Sequence, residues 1–99
     1  MVQALIEAFL SEVPELCQSL NDAVQQGDAP VARRAAHTLK SCLKYVAPES
    51  DWSEAWKVEA AAEQGDLATV EKLAPSAIAI ANRWVRRLEA PDNSLESSL

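Results

Sequence analysis

The chain holds only two glycines, Gly27 and Gly65, and each is followed at once by an aspartate. Glycine reaches the left-handed φ that closes a helix, and an aspartate side chain accepts from the free amides that open the next one. Two such stop–start pairs divide the chain into segments that read as helices joined by very short turns. Nothing opposes this: β-branched and aromatic residues are sparse, alanine is abundant, and no alternation is long enough for a strand. The segments around the two pairs, QQGDAPVARRAA and EQGDLATVEKLA, are alike. The likeness is read as shared turn chemistry rather than a true repeat.

Residues 2–26 form the first expected helix. Leu5, Phe9, Val13, Leu16, Leu20 and Val24 step by three or four and make one apolar stripe, whose phase survives a kink at Pro14. Asp28 caps a second helix over about 29–47, with Pro30 harmless in its first turn and Pro48 ending it. Asp51, with Glu54 three residues on, has the spacing of a capping box and opens a third helix to about Gln64. A fourth runs from Leu67 to about Glu89 on the stripe Val70, Leu73, Ala77, Ile80, Ala81, Trp84 and Leu88, kinked at Pro75. The remainder, PDNSLESSL, is polar and aperiodic. The expected organisation is one all-α domain over 1–90, an antiparallel up-down-up-down four-helix bundle, with a polar tail over 91–99.

The formal net charge is −6, which argues against a binder of nucleic acid or anionic membrane. Its distribution is informative. Ala29–Pro48 carries four basic residues and no acid, so this window is +4 while the rest of the chain is −10. A cationic face on an anionic body suits a small anionic target. Cys17 and Cys42 match no zinc spacing and fall at apolar positions, so both are expected as buried free thiols in a reducing cytoplasm. No apolar stretch approaches the roughly 18 residues of a membrane span, and no leader pattern is read.

Wound at about 100° per residue, the segment RRAAHTLKSCLKYVA splits in two. Arg33, Arg34, His37, Lys40, Ser41 and Lys44 lie within roughly 60° of one line, and Ala32, Ala35, Leu39, Cys42, Leu43 and Val46 lie opposite. A lone histidine on a polar helix face is ordinarily just solvated. Here it is the single imidazole of the chain, and cationic turns flank it on both sides. Lys40 and Ser41 stand at i+3 and i+4, within side-chain reach. An exposed imidazole with ammonium groups nearby suits covalent capture of a phosphoryl group.

The stretch AHTLKSCLKYVA also resembles the signature of histidine-containing phosphotransfer (HPt) domains, where HxLKG is followed by small and apolar residues. The likeness extends over about residues 5–88. It takes in FLSEVPELCQSLNDAVQQGD before the motif and the later EAAAEQGD. It implies a four-helix bundle that carries phosphate between receiver-domain aspartates, with His37 phosphorylated and Lys40 beside the phosphate. Lys44, Arg33 and Arg34 would support that charge. The partners implied are a response-regulator receiver domain or a histidine kinase, and the phosphotransfer domain of chemotaxis kinases shares the signature. No cofactor of the chain's own is expected, the Mg²⁺ belonging to the receiver, and the carrier is expected to be monomeric. Ser41 stands where the family has glycine, and its hydroxyl either crowds a partner or bonds the phosphoryl group.

Trp52, Trp56, Glu59 and Glu63 share one face with Ala55 and Ala62 beside them, most of it expected in the core, and two readings stand for Glu59. It sits at the bundle edge, or it neighbours His37 and holds a ring N–H, where family domains often carry glutamine or another polar residue. Tyr45, Trp52 and Trp56 are expected in the core or at its edge, and any left exposed beside His37 would form an apolar dock. Arg83, Arg86 and Arg87 read as a solvated face. The chain has neither a glycine loop for phosphates nor a carboxylate cluster for metal, so it is a phosphoryl carrier rather than a kinase. The alternative is a non-catalytic helical adaptor on a degenerate HPt fold, docking a receiver without phosphotransfer. A histidine-phosphate hydrolase ranks last, since Glu59 is the single candidate for a second acid/base group.

Overall fold

A computed structural model describes residues 3–89 as four helices: α1 (Gln3–Gln26), α2 (Ala29–Lys44), α3 (Glu49–Glu63) and α4 (Leu67–Glu89). The expected tail over 91–99 lies outside the described residues. Links this short force each helix to run back along its predecessor. Every helix packs on its neighbour in sequence and α4 closes onto α1, so the four form a ring whose diagonals barely touch. The all-α antiparallel bundle expected from the sequence is the fold observed.

Both glycine–aspartate pairs do what their chemistry allows. Gly27 and Gly65 have φ of +68° and +72°. The amide of Gly27 donates to the Val24 carbonyl (3.3 Å) and that of Asp28 to the Ala23 carbonyl (2.9 Å), the paired bonds of a Schellman ending. Gly65 and Asp66 repeat the pattern on Ala62 and Ala61. Asp28 Oδ1 then accepts from the Val31 amide (3.2 Å), and Asp66 accepts from the Thr69 amide and hydroxyl. Those Thr69 bonds hold the Asp66 carboxyl below its ordinary range.

The opposite end differs from expectation. α2 stops at Lys44 rather than 47: Tyr45 and Val46 donate to carbonyls three residues back, tightening the chain ahead of Pro48. α3 opens at Glu49, and its cap is Pro48, whose extended ψ of 166° turns the chain and whose carbonyl receives Asp51 and Trp52 amides. Asp51 therefore caps nothing. Its carboxylate accepts instead from Trp84 Nε1 at 2.8 Å and from Arg83 at 3.4 Å, tying the start of α3 to the end of α4.

The core is aliphatic and rich in alanine. Leu20, Leu39, Leu43, Val13, Val58 and Val70 are the largest fully buried side chains, and Ala32, Ala36, Ala55, Ala77 and Ala81 bring the helices close. The seams are rotated slightly from the expected stripes. In α1 the buried line is Phe9, Val13, Cys17, Leu20 and Ala23, with Leu16 and Val24 flanking it and Leu5 exposed. A helix wedged between two neighbours buries an arc between them, which moves the centre off the bulkiest residues. α4 likewise centres on Val70, Ala74, Ala77 and Ala81. Both helices continue through Pro14 and Pro75.

Cys17 is buried and its thiol is pushed up to about 11 by that burial. Cys42 is only half-buried, against expectation. Burial, then the facing Glu12 carboxylate, raises its pKa, and its Sγ donates to Glu12 at 3.7 Å. The aromatic expectation is also corrected. Trp52 packs against the core, but Tyr45, just past the end of α2, is 68% exposed, and Trp56 is 52% exposed because the core face of α3 runs through Ala55, Val58, Ala61 and Ala62.

Candidate functional site

His37 sits mid-way along α2, on the side opposite Ala36, Leu39 and Leu43, with its side chain 59% exposed. The periodicity that buries those residues leaves Arg33, Arg34, His37, Ser41 and Lys44 on the surface. Helix α3 lies alongside and supplies Glu59 from the edge of its buried seam.

Glu59 bridges two of the residues singled out in α2. Its Oε2 is 2.7 Å from His37 Nδ1 and its Oε1 is 2.8 Å from Lys40 Nζ. The sequence left open whether this carboxylate merely sits at the bundle edge or touches the imidazole; it does touch it. Burial pushes the Glu59 carboxyl up, since its side chain is only 14% exposed, but hydrogen bonds from Lys40 and His37, with the Lys40 charge, hold it below the ordinary value. An ionised carboxylate only accepts, so the ring proton belongs on Nδ1 and the Nε2 lone pair is free. Nε2 makes no hydrogen bond to the described residues.

Lys40 is drawn down to Glu59, with a side chain only 16% exposed. Arg33 and Arg34 line an open depression with Pro30, His37 and Glu59, and neither forms an ion pair among the described residues. Lys44 is not gathered in: its ammonium lies over the Trp52 ring, 4.6 Å from the centroid. Ser41 donates its hydroxyl to the His37 carbonyl at 3.1 Å, so it is turned back onto its own helix. Sequence reasoning missed the Lys40–Glu59 pair. The available signal was angular: Lys40 stands about 60° round the helix from His37, on the side that turned out to face α3. It also missed the exposure of Trp56, which shares a depression with Lys40, Lys44 and Trp52.

No three of His, Cys, Asp and Glu are grouped to hold a metal ion among the described residues. None of the described helices is long and apolar enough to cross a membrane. The site is thus one imidazole, proton fixed on the inner nitrogen, displayed on a cationic helix of a four-helix bundle. Fold and site together define a helical module that displays a single exposed imidazole beside a mostly covered carboxylate. The family model for the Hpt domain matches residues 4–90, and the chain belongs to that family. Its domains carry phosphoryl groups on histidine in phosphorelays, where they meet receiver domains and histidine kinases. Neither the curated proteins nor the solved structures gave a significant match.

Proposed function

We propose that this chain is a phosphorelay intermediate in which His37 accepts a phosphoryl group from a receiver-domain aspartate, or from a histidine kinase, and passes it to another receiver. The observation that carries the reading is the 2.7 Å contact between His37 Nδ1 and Glu59, made on an exposed cationic face. With the proton held on Nδ1, the Nε2 lone pair attacks phosphorus in line. The bond from phosphorus to the aspartyl oxygen breaks, and the receiver's carboxylate leaves as an anion. No proton needs to move: the ring becomes an N-phosphoimidazolium whose Nδ1–H stays on Glu59, and the carboxylate balances the new positive charge. Onward transfer is the reverse step with a second carboxylate as nucleophile. The Mg²⁺ of such an exchange belongs to the receiver. Lys40, Arg33, Arg34 and Lys44 supply the positive field into which the anionic group is delivered.

Incubation with a phosphorylated receiver tests the reading. Wild-type protein is expected to take up acid-labile label, and His37→Gln is expected to take up none. An unlabelled wild type defeats the proposal and favours the adaptor reading; equal labelling of His37→Gln shows that another residue is the acceptor.

A further inference from the structure

Five cationic or polar side chains share the face of α2 around His37, and they are not equally free. Lys40, one turn toward the C-terminus, is bonded to Glu59 at 2.8 Å and largely covered. Both its bond and that of His37 converge on one carboxylate, on the Nδ1 side of the ring. Nε2 is the ring nitrogen that does not face that carboxylate, while the Lys40 ammonium is committed to it. Drawing Lys40 over to a phosphoryl group on Nε2 breaks a charge-assisted hydrogen bond and leaves a mostly covered carboxylate with one partner fewer. Lys44 lies on the Trp52 ring.

Arg33 has no such commitment. It stands one turn before His37 and about 40° round the helix, on the same α3-facing side as Lys40. It is exposed, unpaired among the described residues, and lines the open depression that holds His37 and Glu59. Arg34 is about 60° round on the opposite side, and it also lines a second depression with Leu16 and Ser19 of α1. A guanidinium offers a planar fork of donors that matches two phosphoryl oxygens.

We infer that Arg33 is the side chain that first holds the phosphoryl group on His37 Nε2, while Lys40 serves as the positioning cation that keeps Glu59 in place. This rests on the phosphocarrier reading. Lys40 governs the tautomer of the ring, and Arg33 governs the charge on the group the ring carries.

The test uses the full chain and potassium phosphoramidate, a donor that needs no receiver. Nε2 attacks phosphorus, the P–N bond breaks, and nitrogen leaves as ammonia with a proton taken from solvent. Wild type, Arg33→Ala, Arg33→Lys, Arg34→Ala and Lys40→Ala are compared, with circular dichroism to check that each is folded. Arg33→Ala is expected to label about tenfold more slowly, and Arg33→Lys to recover part of the rate. The discriminating measurement is the pH titration of the phosphoryl ³¹P signal, prepared with either phosphoramidate or a phosphorylated receiver. A guanidinium beside the group favours its dianion, so Arg33→Ala raises that ionisation by roughly half a unit, whereas Lys40→Ala leaves it in place and instead alters the ring ¹⁵N tautomer ratio. The inference is overturned if Lys40→Ala or Arg34→Ala, and not Arg33→Ala, shifts the phosphoryl ionisation, or if Arg33→Ala labels within twofold of wild type. A wild type that takes no label at His37 from either donor overturns the phosphocarrier reading itself, and the inference with it.

Discussion

The two sides of α2 obey different rules although they interleave residue by residue. The inner side, Ala32, Ala36, Leu39 and Leu43, is fully buried and wholly apolar. The outer side carries Arg33, Arg34, His37, Lys40, Ser41 and Lys44, of which the last rests on a neighbouring ring and His37 and Lys40 are both held by the Glu59 carboxylate. Packing energy resides on one side and the proposed chemistry on the other, so substitutions should separate stability from phosphoryl uptake. The exception is Glu59, which reaches the outer side from a different helix and should affect both.

The largest separation is expected between His37→Gln and Leu39→Ala. Loss of the imidazole removes all labelling, and chemical denaturation should show stability changed by less than about 1 kcal/mol, the usual scale for an exposed site. Leu39→Ala truncates one of the largest fully buried side chains and should cost about 2–5 kcal/mol. At roughly 4–8 °C per kcal/mol for a domain this size, its Tm falls by on the order of 10 °C or more. Folded Leu39→Ala should still accept label; a folded variant that does not would break the division between the sides.

Glu59→Ala should come next and should cross the divide. Without the carboxylate, ring ¹⁵N shifts should report a loss of the Nδ1–H form. Labelling should slow roughly 10- to 100-fold, the worth of a charge-assisted hydrogen bond of ~1.5–3 kcal/mol. An unchanged tautomer ratio would place Glu59 among surface charges with no part in the site.

Acid provides a milder probe of the same bridge. The folded-state pKa of Glu59 is lowered from its ordinary value of 4.5. Its contribution to stability is therefore complete above that value and is lost as pH falls through the depressed folded value. Denaturation midpoints measured from pH 6 down to pH 3 should drop more steeply for wild type than for Glu59→Gln across that window. Ser41→Gly should have the smallest effect. The hydroxyl already bonds the His37 carbonyl, so its removal should change transfer rate by less than about threefold while costing about 0.5–1 kcal/mol of helix stability through the added backbone freedom.

How legible each region was follows from how local its causes are. The Gly27–Asp28 and Gly65–Asp66 turns were readable because glycine conformation and aspartate capping are settled within a few residues. The Tyr45–Pro48 end was misread because Asp51 has two possible employers, the amides of its own helix and the Trp84 indole 33 residues away, and the tertiary partner won. Helix phases were legible to within a neighbouring residue; whether Leu16 or Cys17 centred the seam depended on two flanking helices. At the site, the placement of His37 on a cationic face is pure helical periodicity. Its pairing with Glu59 was one of two readings, and for the capture of Lys40 by the same carboxylate periodicity gave only an angle, since both depend on how α2 and α3 register against each other.

That registration has a consequence for signalling. His37 and the carboxylate that fixes its proton are 22 residues apart and meet only across a packed seam. A misfolded or partly opened copy keeps its imidazole but loses the partner that makes Nε2 the free nitrogen. On the proposed role, damaged copies transfer phosphate more slowly, and the flux through the relay measures the folded population as well as the stimulus.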